Sequence, residues 1–325
     1  MAGSRANAAV SGLSKSQGNI VTSSFDNRLS RARTALEGLS MGDAFGERFL
    51  AQPGAIERLI VSRALPDPPW RYTQASDMAL SIVANLGRHG RVEQDDLARS
   101  FAERYDASRG YGPAMRGLLA RIAAGEPWQA AAPSLFDSQG SYGNGAAMRA
   151  APVGAFFAND LDLAVEQARR SAEVTHAHPE AIAGAVAVAA AAAWAWRVGQ
   201  GAAPSFATLL DLALPYVPKS AVAAGIRRAT ELSPGAPPLI AAATLGSGIS
   251  AHHTVPYALW CAASCLNDYP AALWQTAIGR GDVGANCAIV GGIVALAIGE
   301  AGIPAEWRES REPLPSWPFH ASDSS

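Results

Sequence analysis

The chain has 325 residues, with 26 basic and 28 acidic side chains and a formal net charge of −2. That balance gives no electrostatic footprint for a nucleic-acid backbone or an anionic membrane surface. Hydrophobic residues at 49% against 17% charged exclude disorder over most of the length, and with aromatics at only 7% the apolar share is aliphatic and alanine-rich, which favours helix.

In chain order, Met1–Ser24 is rich in Ser, Gly and Asn and lacks the apolar stretch of a signal peptide, so a disordered tail is predicted over 1–25. Leu29, Ala32, Ala35, Leu36 and Leu39 recur at helical spacing, which predicts a helix over Arg28–Met41 that Gly42-Asp43 ends. Pro53 and Pro66-Asp67-Pro68-Pro69 bound a surface loop. Helices follow over Met78–His89, Gln94–Tyr105 and Ala114–Ala124, then a loop from Pro133 to Gly145 and a helix over Leu161–Thr175. His176-Ala177-His178-Pro179 opens an alanine-rich helix through Trp196, which Arg197 stops short of the ~20 residues a membrane span needs. Further helices are predicted over Phe206–Leu214, Ala221–Leu232, Pro238–Ala243, Thr254–Leu266 and Tyr269–Ala277. A glycine-rich turn at Gly279–Gly284 leads into the last, Ala288–Ala301. No convincing period-two alternation or internal repeat is present. One all-α domain over 26–307 is expected, with an extended tail over 308–325.

Cys261, Cys265 and Cys287 form no CxxC pair and no even disulfide framework. They are expected to be buried free thiols in a reducing cytoplasm.

In a chain this apolar, the informative places are polar clusters at helix starts. Four stand out: Gly42-Asp43-Ala44-Phe45-Gly46-Glu47, Tyr72-Thr73-Gln74-Ala75-Ser76-Asp77-Met78-Ala79-Leu80, Ser141-Tyr142-Gly143-Asn144-Gly145 running on to Met148-Arg149, and Gly281-Asp282-Val283-Gly284-Ala285. Free backbone N–H groups gather at such junctions and bind anions, and glycines let a ligand approach the main chain.

These residues, in this order and together with His176-x-His178-Pro179-Glu180, resemble the ADP-ribosylglycohydrolase family over about Arg28–Pro304. The resemblance implies an all-helical fold and hydrolysis of an N- or O-glycosidic bond to ADP-ribose, with two magnesium ions in a central cleft. It places Ser141, Tyr142, Gly143 and Asn144 in the loop that contacts the ADP-ribose phosphates and distal ribose, with His176 and Gly112 beside the same ligand.

The chain departs from the family pattern at the metal clusters. Where the family reads Thr-Asp-Asp-Thr, this chain has Thr73-Gln74-Ala75-Ser76; where the family reads Gly-Asp-x-Asp-Thr, it has Gly281-Asp282-Val283-Gly284-Ala285. A family acid seven residues after the Asp43 position is Leu50 here. Magnesium wants several hard oxygen ligands with carboxylates among them. The remnant positions Thr73, Ser76 and Asp282 supply one carboxylate, so the expectation is no cofactor, or at most one weakly held Mg²⁺.

Asp282 is the candidate catalytic acid, with an N-cap role as its structural alternative. Asp43 is expected to serve as a cap and hydrogen-bond acceptor, Glu47 as a solvated or salt-bridged side chain, and Asp77 as a favourable first-turn charge. Gln74 can hydrogen-bond a ribose hydroxyl where an aspartate held metal. Arg149 suits either a phosphate contact or a buried salt bridge. His252-His253 reads as surface or cap. Two functions follow: a hydrolase acting on an ADP-ribosyl or ribosylated substrate without paired magnesium, or a catalytically dead protein that binds ADP-ribose or an ADP-ribosylated partner. Neither nucleic acid nor membrane is expected as a partner.

Overall fold

The computed structural model describes residues 6–51, 56–201 and 206–319. Its helices are α1 (Ala6–Ala51), α2 (Ile56–Ser62), α3 (Gln74–His89), α4 (Gln94–Glu103), α5 (Pro113–Ala123) and the short turns α6 (Trp128–Ala131) and α7 (Leu135–Ser138). Then come α8 (Ala151–Phe156), α9 (Leu161–Glu173), α10 (Pro179–Gly199), α11 (Phe206–Ala213), α12 (Ala221–Glu231) and α13 (Pro238–Leu245). The chain closes with α14 (Ala251–Ser264), α15 (Tyr269–Ile278), α16 (Val283–Ile298) and α17 (Ala305–Ser310). Extended pairing among the described residues is limited to two isolated bridges, Trp70 with Arg311 and Gly143 with Ser250. The all-α expectation holds. Residues 1–5 and 320–325, at the ends of the two expected tails, lie outside the described residues.

The predicted break at Gly42-Asp43 is corrected: α1 runs through it to Ala51. Gly38, Gly42 and Gly46 lie four apart on one face and meet α16 running the other way. A Cβ on Gly38 would lie 3.1 Å from the Gly291 carbonyl carbon, one on Gly42 2.8 Å from that of Cys287, and one on Gly46 2.7 Å from the Val283 oxygen. These glycines let two helix backbones touch, at a cost in helix propensity that the packing offsets. The same contact explains why α16 starts at Val283 and not at Ala288. Asp282 caps it by accepting from Ala285 N, and Gly284 lies within the first turn against Gly46.

Aromatic packing fixes the other side of α1. The Phe45 ring stacks on Trp307 at 4.7 Å and meets Trp274 edge-on at 5.1 Å, tying α1 to α15 and α17. α10 is long and apolar enough to cross a membrane, yet it packs within the bundle against α8, α9, α14 and α16. Cys261 and Cys287 are buried and free, and Cys265 is partly exposed. Burial pushes the Cys261 thiol up to about 12, which leaves it unreactive. After α17 the chain runs beside Trp70: Trp70 N donates to Ser310 O (2.7 Å) and Glu312 N donates to Trp70 O (3.0 Å).

Candidate functional site

The start of α3 is held from outside its own segment. Asp43, fully buried near the C-terminal end of α1, accepts from Thr73 N (2.8 Å) and Ser76 N (3.1 Å) on Oδ2. The Thr73 hydroxyl donates to Oδ1 and the Ser76 hydroxyl to Oδ2, both at 2.6 Å. Asp43 is therefore an acceptor and a cap, as expected, but the helix it caps is α3. One turn further along α1, burial raises the Glu47 carboxyl above its ordinary range, and the charges of Asp43 and Asp282 add to the shift. The close packing of α1 on α16 thus brings three carboxylates from two helices within electrostatic reach.

Asn144 joins this acidic corner to a cavity. Its Nδ2 donates to Asp282 Oδ2 (2.8 Å) and Thr254 Oγ1 (2.9 Å), and its backbone N donates to Ile249 O (2.9 Å). Ala251 N donates to Tyr142 O (3.0 Å), so residues 142–144 are pinned to the segment that starts α14. The cavity, about 180 Å³, is walled by Gln74, Gly112, Ser141, Gly143, Asn144 and His176, with Met78, Met115 and Met148 among its apolar lining. α5 begins there after Gly112 with no side-chain cap, and its first-turn amides lack intrahelical partners. An anionic group is favoured at such an end. A wider groove of about 550 Å³ over α4 mixes Asp95, Arg99, Glu103 and Glu126 and contains none of the motif residues.

The residues expected beside the ligand are thus brought together, with two qualifications. Tyr142 is not among the lining residues; it is 48% exposed, its ring edge-on to His178 at 5.7 Å. Asp282 sits behind Asn144 with both oxygens accepting, Oδ1 from Ala285 N (3.4 Å) and Oδ2 from Asn144. Sequence reasoning missed Phe136, 51% exposed and 6.3 Å from the Tyr142 ring. Phe136, Asp137 and Ser138 all take positive φ (53°, 56° and 65°), a strained run with no signal in their residue types.

Other polar residues resolve into supports. His178 caps α10, its Nδ1 accepting from Glu180 N (3.1 Å). Asp77 accepts from the Tyr111 hydroxyl (2.6 Å). The rings of His252 and His253 meet tilted at 4.3 Å, with His252 6.5 Å from the Tyr142 ring. Arg149 fills neither expected role, since it does not line the cavity and no carboxylate among the described residues pairs with it. Fully buried, it donates to Ser171 O (3.1 Å) and Thr175 Oγ1 (2.8 Å) and lies over the Phe101 ring at 4.5 Å. Loss of hydration without a counter-ion lowers it to about 9.

The remnant positions Thr73, Ser76 and Asp282 present two hydroxyls and one carboxylate. The Thr73 and Ser76 hydroxyls point at Asp43. Among the described residues, no three His, Cys, Asp or Glu side chains converge as a ligand set.

Burial and the nearby Arg149 charge depress His176 from 6.5 to about 3. The unfolded chain therefore binds that proton more tightly than the folded one, and the stability His176 contributes above pH 6.5 is lost as pH falls toward 3. The stability difference between wild type and His176→Gln is expected to shrink on acidification by up to about 1.4 kcal/mol per pH unit. Urea melts of both proteins between pH 7 and 4 check this; parallel curves would contradict the assigned burial.

An all-α scaffold whose helix starts and glycine loop close on one cavity with both polar and apolar walls, with acids behind it, defines a ligand-binding cleft. The family profile described as ADP-ribosylglycohydrolase matches residues 24–318. The chain belongs to that family, hydrolases of ADP-ribosyl glycosidic bonds. The human protein named ADP-ribosylhydrolase ARH3 is 26% identical over 329 residues, covering 87% of this chain and 90% of that protein. The Xenopus tropicalis protein of the same name is 31% identical over 174 residues, 49% of this chain and 48% of that protein. A solved structure described as an ADP-ribosylglycohydrolase-related protein complex matches with a TM-score of 0.58 at 25% identity, covering 88% of this chain and 94% of that one.

Proposed function

We propose that this protein hydrolyses the glycosidic bond of an ADP-ribosyl or ribosylated substrate in the cavity between the α5 start and residues 141–145, without a pair of magnesium ions. One observation carries the reading: Gln74, Gly112, Ser141, Gly143, Asn144 and His176, from separate chain segments, wall one cavity, and Asn144 links it to Asp282. Cleavage of such a bond builds positive charge on the ribose as the leaving group departs. Asp282 stabilises that cation or activates water, and Glu47, with its raised carboxyl, is suited to protonate the leaving group. The α5 amides and the His176 ring serve the phosphate side. The free thiols are consistent with a cytoplasmic setting.

A second reading has its own support. Every oxygen of Asp43 and Asp282 already accepts a hydrogen bond from the protein, as expected of a pocket kept for binding alone. Calorimetric titration of ADP-ribose with Mg²⁺ and with EDTA, followed by assay of ADP-ribose release from ADP-ribosylated arginine and serine, separates the cases. Binding and release that ignore EDTA support metal-independent hydrolysis, and binding without release identifies a binder. Binding only with Mg²⁺ overturns the metal-free reading. Asp282→Asn is expected to lower turnover at least tenfold while ADP-ribose affinity changes less than threefold, since the amide still reaches Asn144. Unchanged turnover removes Asp282 from the reaction.

A further inference from the structure

We infer that Thr175, held by Arg149, locks His176 as the neutral Nε2–H tautomer and so fixes a hydrogen-bond donor on the cavity wall. Thr175 and Arg149 are fully buried, and His176 is 3% exposed. A guanidinium only donates, so at 2.8 Å from Arg149 Nη2 the Thr175 oxygen is the acceptor. The hydroxyl proton of a buried threonine must then find an acceptor of its own. Among the described residues the group that meets it is His176 Nδ1, 2.7 Å away. With its Nδ1 lone pair occupied, a neutral imidazole carries its proton on Nε2.

The opposite edge of the ring faces the glycine loop. A Cβ on Gly145 would lie 2.8 Å from His176 Cε1 and Nε2, and one on Gly143 3.7 Å from Nε2. Glycines at both positions leave that edge open to the cavity. Burial and the Arg149 cation disfavour the imidazolium, so the ring stays neutral and offers a donor without transferring a proton. His176 is thereby matched to an acceptor oxygen such as a phosphate or hydroxyl, and Thr175 and Arg149 are positioning residues that act through it. The tautomer stands on the fold alone; the ligand it serves rests on the ADP-ribose reading above.

The test is long-range ¹H–¹⁵N NMR on the full chain labelled at its six histidines, without ligand at pH 7, with His176→Gln assigning the signal. One species with protonated Nε2 and bare Nδ1 is expected for His176. An Nδ1–H tautomer or an imidazolium overturns the inference. Thr175→Val, which removes the hydroxyl, is expected to give a mixture of tautomers and to weaken ADP-ribose binding about tenfold. Thr175→Ser is expected to restore the single tautomer and bring affinity within threefold of wild type. Unchanged affinity in Thr175→Val overturns the functional half. Should Thr175→Val fail to fold, the wild-type and Thr175→Ser spectra still decide. The expected tautomer with no ADP-ribose binding by the wild type supports the lock and overturns the ligand reading instead.

Discussion

Gly42→Ala is expected to destabilise the protein by on the order of 4 kcal/mol, seen as a large fall in the urea midpoint. The added methyl would collide with the Cys287 carbonyl oxygen and lie 2.8 Å from its carbon, and both belong to the α16 backbone. No rotamer change relieves a clash between main chains, so α1 and α16 must separate along the line that also holds Gly38 and Gly46. The cost exceeds the roughly 0.5–1 kcal/mol that alanine gains over glycine in helix propensity. Gly117→Ala is the control: it lies in α5 with nothing within 4 Å of the new methyl, and it should stabilise by that propensity difference. If both variants shift alike, the α1–α16 approach is not what sets the identity of residue 42. Separation of these helices also moves Asp282 away from Glu47, so the Glu47 carboxyl should relax toward its ordinary range in any folded Gly42→Ala protein.

Gly42 also shows where the sequence stopped being legible. A glycine that ends a helix and one that lets two helices touch look the same in one dimension, because the partner, Cys287, lies far along the chain. Asp43 misleads for the same reason: beside a glycine it suggests a local cap, yet its donors are Thr73 and Ser76. Helices set by local composition and capping were legible nearly to the residue. Pro179 starts α10 behind its His178 cap, and Asp268 caps α15 at Tyr269. The walls of the cavity could be named through a family resemblance, since nothing local says that Gly112 and His176 share a space. Thr175 carried no signal; its role appears once Arg149, from another segment, is seen to lack a carboxylate.

Asp43→Ala is expected to cost a further several kcal/mol, about 4 on the basis of four donors losing their acceptor at 1–3 kcal/mol each with partial relaxation. Thr73 N, Ser76 N and both hydroxyls would face a void at the start of α3, where the helix dipole has lost its anion. Asp43→Asn separates charge from shape. Its amide keeps one acceptor oxygen but turns an NH₂ toward donors, so about half the loss should remain. Burial lifts the Asp43 carboxyl above the usual range against the pull of its four hydrogen bonds. The Thr73 and Ser76 hydroxyls can each turn to accept a carboxyl proton, whereas the two backbone N–H groups only donate, so the anion makes the fuller use of these partners. If Asp43→Asn is instead as stable as wild type in urea at pH 7, the carboxyl is protonated there. The effect should reach the cavity as well, because the first turn of α3 carries Gln74 into its wall. ADP-ribose affinity in the folded fraction of Asp43→Ala is expected to fall along with stability, whereas Gly117→Ala, on the exposed side of α5, should bind as wild type does.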